Sequence, residues 1–175
     1  MPQNIEIKAR CANPTAIQRI LEERKAKFIG IDHQIDTYFS VQEGRLKLRE
    51  GNIEQQLIFY RRNNQAGPKK SEVILYPAPS DSTLKAVLTA SLGIKVIVDK
   101  KRAIYFIDNV KFHIDTVARL GNFLEIEAID RKDEIPLEKL EAQCRFYMNL
   151  FDIQSENLVE VSYSDMLLAQ EKNPS

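Results

Sequence analysis

Three charged side chains, Glu6, Lys8 and Arg10, alternate with Ile5, Ile7 and Ala9. The same period of two recurs along the chain. Arg45, Lys47 and Arg49 alternate with Leu46 and Leu48; Lys100 and Arg102 share one face; His113 and Asp115 alternate with Phe112 and Ile114; Glu125 and Glu127 flank Ile126. Residues two apart in an extended strand point the same way, so each segment presents one charged and one apolar face. A single sheet face turned to water explains any one such strand. The set asks for more, because its signs are sorted: some strands present cations, another presents two carboxylates. Clustered Arg and Lys suit a polyanion, Arg because its planar fork accepts phosphate oxygens in pairs. Paired carboxylates suit a hard cation such as Mg2+ or Mn2+, which takes oxygen ligands and substrate phosphates together. Like charges crowded into one space repel unless opposite charge sits among them. A shared lumen holding both sets is therefore a place for a metal–polyphosphate.

The elements that must position these residues are mostly strands. Residues 4–11 read as the first. Asn13 suits a helix N-cap and Pro14 the first helical position, with a helix to about Lys27 whose apolar face is Ile17, Ile20 and Leu21. Strands are expected at 34–41, 45–50, 55–62 and 71–76, with turns at Glu43-Gly44 and Gly51-Asn52 and a loop over 63–70. A second helix follows Ser82 and ends at Gly93. Residues 95–107, with a point of interruption at Asp99, turn at Asp108-Asn109 into 110–117. Leu120-Gly121-Asn122 then leads into 123–129. Pro136 opens a helix to about Phe151, and a short helix is expected over 162–170. Spacing from Leu57-Ile58 turns Arg62 rather than Arg61 to the charged face; a bulge would exchange them. The expectation is an α+β fold, an antiparallel eight-stranded β-barrel with flanking helices. Closure removes the sheet edges and leaves a lumen for one small ligand.

Length and composition agree. The chain has 175 residues, the scale of one domain, 43% of them hydrophobic and 29% charged. Net charge is zero, which argues against a general nucleic-acid binder. Cys11 and Cys144 form no disulfide framework and read as reduced thiols. No leader-like segment and no apolar run near ~20 residues is present, so a cytoplasmic protein without a membrane role is expected. No GxGxxG or GxxxxGK[ST] loop occurs.

In order, the segments Asn4-Ile5-Glu6-Ile7-Lys8, Gln34-Ile35-Asp36-Thr37-Tyr38-Phe39, Gly44 to Arg49, Leu57 to Arg62, Lys100-Lys101-Arg102, Ile114 to Val117 and Leu120 to Glu127 resemble the CYTH superfamily, the triphosphate tunnel metalloenzymes. The first segment resembles the ExExK signature of that group, and the resemblance leans toward the class IV adenylyl cyclase-like branch. It implies a polar tunnel acting on a triphosphate with Mg2+ or Mn2+. Glu6, Glu125 and Glu127 would coordinate the metal. Lys8, Arg45, Lys47, Arg62, Lys100 and Arg102 would grip phosphates, with Arg49 near the tunnel mouth. Lys8 and Asp115 would be the catalytic residues, Asp115 as a metal or water partner. Position 4 departs from the signature: Asn stands where the family has Glu.

The resemblance leaves two reactions open. A cyclase turns ATP into cyclic AMP and pyrophosphate; a triphosphatase hydrolyses tripolyphosphate, thiamine triphosphate or a nucleoside triphosphate. A non-catalytic polyphosphate- or nucleotide-binding module is the rival of another class, motivated by Asn4. A scaffold with a charged sheet face is the third. Partners are then a small-molecule triphosphate and a second copy in a homodimer, not nucleic acid. His113 reads as a wall hydrogen-bonder or an acid–base group, Tyr38 and Tyr60 as packing residues, and Glu22, Glu23, Arg24, Lys25 and Lys27 as a solvated helix face.

Overall fold

The structure, a computed structural model, describes residues 3–173. Eight strands appear: β1 (Gln3–Arg10), β2 (Lys27–Phe39), β3 (Arg45–Glu50), β4 (Gln55–Arg62), β5 (Lys69–Pro77), β6 (Ile94–Ile107), β7 (Val110–Val117) and β8 (Gly121–Asp130). All neighbours are antiparallel, and the sheet closes on itself in the order β1-β5-β4-β3-β2-β6-β7-β8. Four α-helices flank it: α1 (Pro14–Glu23), α2 (Leu84–Leu92), α3 (Leu137–Leu150) and α4 (Tyr163–Lys172).

The alternation sorts the strands as expected. Ile5, Ile7, Phe112, Leu124 and Ile126 point outward into the main core, where Leu21 of α1 and Leu140, Cys144 and Tyr147 of α3 cover them. The charged residues of the same strands point inward. A second apolar cluster fills one end of the barrel: Val96, Val98, Val117 and Phe123 meet Tyr163 and Leu167 of α4. Ser162 and Asp165 make a reciprocal capping box that fixes the start of α4. Both cysteines are buried and unpaired with each other; the Cys144 thiol donates to Ile5 O at 3.3 Å.

Two expectations need correction. The first helix stops at Glu23, capped as expected by Asn13 with Pro14 at its first position, and Lys25 takes a left-handed φ of 57°. Lys27 then begins β2 instead of ending a helix, and a register shift near Phe28 and Gly30 hides the period of two there. Glu22, Glu23, Arg24, Lys25 and Lys27 are all exposed. β6 runs through Asp99 without a break, Asp99 pairing with Ile35. In the β3–β4 turn, Gly51 is required by crowding: a Cβ there would meet Asp32 Oδ1 at 2.6 Å and Glu54 O at 2.7 Å.

Candidate active site in the barrel lumen

The lumen is a cavity of about 560 Å3. Its lining is sorted by wall. β1 and β8 supply three of the four lining carboxylates: Glu6 stands opposite Glu127 and Lys8 opposite Glu125 in the register. β3, β6 and β7 supply most of the cations, with Lys47, Arg49, Lys100, Arg102 and Lys111 on the cavity. β4 and β5 give a largely uncharged wall of Gln56, Ile58, Tyr60, Ser71, Val73 and Leu75. α4 closes one end through Tyr163, and the other end opens beside Leu75, Ile129 and Arg131.

The lumen cations Lys8, Lys47, Arg49, Arg62, Lys100 and Arg102 all have carboxylate partners, and these partners form two sets. Asp36 and Asp115 are fully buried behind the lining. Asp36 receives Lys47 at 2.9 Å, Arg49 through two bonds of 2.9 Å, and Lys100 at 2.7 Å. Asp115 receives both Nε and Nη2 of Arg102, at 2.7 and 2.6 Å, and the Tyr163 hydroxyl at 2.7 Å. Burial works to raise both carboxyls, but the cations outweigh it and hold them below the usual carboxylate range. These two are fixed struts that set the direction of the cations. The other set lies on the cavity itself. Glu6 pairs with Arg62, and Glu125 meets Arg102 at 3.0 Å, His113 Nδ1 at 3.0 Å and Lys8 at 3.5 Å. Glu127 accepts from the Asn4 amide at 2.6 Å. Asn4 thus gives Glu127 a donor where the signature carboxylate would repel it.

Burial pushes the Lys100 ammonium down from its ordinary 10.5 to about 7, against the pull of Asp36. His113 is lowered by burial and by Arg102, so its imidazole is neutral at neutral pH. Its Nδ1 donates to Glu125, and the buried Nε2 has no partner among the described residues.

Nine of the expected site residues therefore meet on one cavity: Glu6, Lys8, Lys47, Arg49, Arg62, Lys100, Arg102, Glu125 and Glu127. Arg49, expected near the mouth, is only 6% exposed and lies within the wall. Arg62 points inward while Arg61 lies outside with Glu43, so no bulge exchanges them. Arg45 and Asp115 are off the lining. Arg45 is held by Asp165 of α4 at 2.7 Å, and Asp115 stands behind Arg102 as a positioning residue. Tyr38 and Tyr60 line the cavity with their hydroxyls 3.3 Å apart. Sequence reasoning missed Asp36, Glu54, Lys69 and Lys111. Lys69 is buried, and its ammonium donates to Glu160 O at 3.1 Å; burial first, then Arg62 and Lys8, lower it to about 8.

Known structures share this architecture. The PH1012 protein from Pyrococcus horikoshii OT3 superposes with a TM-score of 0.72 at 23% identity, over 93% of this chain and 98% of that one. A Vibrio parahaemolyticus protein provisionally named an adenylate cyclase gives 0.73 at 17%, over 94% and 97%. HpAC1 from Hippeastrum, provisionally named an adenylyl cyclase and described as having a dominant triphosphatase activity, gives 0.58 at 13%, over 97% and 96%. No curated protein sequence matches. The family model for the CYTH domain matches residues 2–163, so the chain belongs to the CYTH family.

Proposed function

We propose that this protein is a metal-dependent enzyme that binds a nucleoside triphosphate in the barrel lumen and acts as an adenylyl cyclase of the class IV type. The observation that carries the reading is the sorting of the lumen into a cation wall, a carboxylate wall and an uncharged wall. Lys8, Lys47, Arg62, Lys100 and Arg102 would hold the phosphates and oppose the charge that grows as a P–O bond breaks. Ile58, Val73, Leu75 and Ile129 give the lining an apolar surface, which suits the organic part of a substrate better than a bare phosphate chain.

The carboxylate wall fits a divalent cation in donor type. Among the described residues no three Asp, Glu, His or Cys side chains converge on one point, so Glu6, Glu125 and Glu127 would share Mg2+ or Mn2+ with substrate oxygens rather than cage it alone. When bound, such an ion would polarise phosphate oxygens and bring the nucleophile and phosphorus together. The chain's own residues exchange partners: as Arg62 turns from Glu6 to a phosphate, the Glu6 carboxylate is released.

Hydrolysis by water is the second reading. The same fold accompanies a dominant triphosphatase activity in the Hippeastrum protein, and a phosphate grip serves either nucleophile. Asp115, the expected water partner, is engaged by Arg102 and Tyr163 away from the lining, so hydrolysis would take another residue to position the water.

The test is a panel of ATP, tripolyphosphate and thiamine triphosphate with Mg2+ or Mn2+, products separated by chromatography and Glu127→Ala as control. Cyclic AMP with pyrophosphate, lost in the variant, is the expected result. Orthophosphate release lost in the variant moves the assignment to a triphosphatase. No product from any of the three overturns both.

A further inference from the structure

The lumen holds a fourth carboxylate that the preceding reading does not use. Glu54 comes from the β3–β4 turn and lies on the cavity. Its Oε1 accepts from Arg49 Nη1 at 3.0 Å and from Gln34 Nε2 at 3.0 Å, while Oε2 accepts from Lys111 of β7. In the ring, β2 and β6 separate β3 from β7. Arg49, Glu54 and Lys111 therefore form a bar across the lumen.

This placement is built. Asp32 is fully buried and directs both of its oxygens at the turn, accepting Ile53 N and Glu54 N at 2.9 Å each. Gln34, also fully buried, donates to Asp32 at 2.8 Å and to the Glu54 carboxylate. The absence of a Cβ at Gly51 lets the turn close on Asp32. Burial works to raise the Glu54 carboxyl, but Arg49, Lys111 and His113 hold it well below the usual range, so it is a permanent anion.

Lys111 shares the inward face of β7 with His113 and Asp115, and it stands opposite Glu127 in the register. Its side chain is only 12% exposed, and among the described residues its one carboxylate partner is Glu54. A largely buried lysine on a cation-lined cavity, with one carboxylate partner that it shares with Arg49, is placed to exchange that partner for a phosphate. We propose that Lys111 is a further substrate-binding residue and that Glu54 is a resident anion that occupies Lys111 and Arg49 until the triphosphate displaces it. The proposal rests on the lumen being the triphosphate site. Glu54 bridges Lys111 and the Nη1 that Arg49 leaves free of Asp36, and its return to Lys111 helps product leave.

Titration calorimetry with sodium tripolyphosphate, in EDTA so that no metal intervenes, tests this. Wild type should bind. Glu54→Gln keeps the hydrogen bond to Gln34 but removes the competing charge, and should bind about tenfold more tightly, the scale of one charge-assisted hydrogen bond. Lys111→Met should bind about tenfold more weakly. The gain from Glu54→Gln should shrink in the Lys111→Met background, because the two act on one contact. Glu54→Asp, which keeps the charge but shortens its reach to Lys111, should move affinity in the direction of Glu54→Gln and decides the matter if that variant fails to fold. Unchanged or weaker binding in folded Glu54→Gln overturns the proposal, as does a full gain without Lys111. Wild type that binds no tripolyphosphate overturns instead the reading of the lumen on which the proposal rests.

Discussion

Lys100 shows what the lumen does to a single residue. It is fully buried, its ammonium touches Asp36 at 2.7 Å, and Arg49, Arg102 and Lys47 crowd it with like charge. Burial is the largest influence and brings it to about 7. Between about 7 and its ordinary 10.5, the unfolded chain carries a proton here that the folded chain lacks, so this group makes the fold more stable as pH rises through that window. Phosphate binding runs the other way, because it needs the proton. Affinity for tripolyphosphate should fall as pH rises above about 7, and calorimetry at pH 8 in buffers of different ionisation enthalpy should show uptake of about one proton per ligand. Lys100→Arg, charged throughout, should lose that uptake. Lys100 was legible in the sequence because it shares a face with Arg102. Lys111 was equally legible, two positions before His113, and went unnoticed because its pairing partner Glu54 lies in a turn, where no periodicity says which way a side chain points.

Among the elements, α4 ties the closed end of the barrel to the site. Its first residue, Tyr163, donates to Asp115, lies 5.0 Å from the Phe123 ring centroid and sits under the Lys8 ammonium at 3.9 Å; Asp165 holds Arg45. Tyr163→Phe keeps the packing and removes the hydroxyl. It should cost about 1 kcal/mol, read as a fall of about 2–4 °C in thermal melting, with a larger relative loss of tripolyphosphate affinity because Arg102 loses a fixed strut on Asp115. A fall in melting temperature with unchanged affinity would confine Tyr163 to packing. The helix was expected from the sequence over 162–170, but its contacts were not, since they join residues far apart in the chain. Strands with clean alternation, such as β1 and β3, could be placed almost to the residue. The first half of β2 could not: the irregular pairing at Phe28 and Gly30 breaks the period, and the residues ran on from a helix with no strong stop signal. Lys69 was hidden for a similar reason, standing at the first position of β5 where the sequence reads as loop.

The molecule as a whole is a ring whose basic lining residues outnumber its lining carboxylates. A polyanion that enters should therefore stabilise the fold beyond the effect of ionic strength alone. Tripolyphosphate at a hundred times its dissociation constant adds about 2.7 kcal/mol, or about 5–10 °C of melting temperature at this chain size; sodium chloride at matched ionic strength should give far less. Equal shifts from both salts would argue against a specific site. The ring also has a seam. Asn4 and Glu127, 123 positions apart, touch across β1 and β8, and β1 finds its other neighbour only at β5. During synthesis β1 therefore leaves the ribosome long before either partner exists, with Ile5 and Ile7 uncovered on one side. The other side carries Glu6, Lys8 and Arg10, and charge of this kind keeps an orphan strand from pairing with its like. Glu6 and Lys8, which face the lumen in the finished protein, thus serve first with Arg10 as guards of a nascent strand, and replacing them with apolar residues would be felt in soluble yield before it was felt in any assay of the finished site.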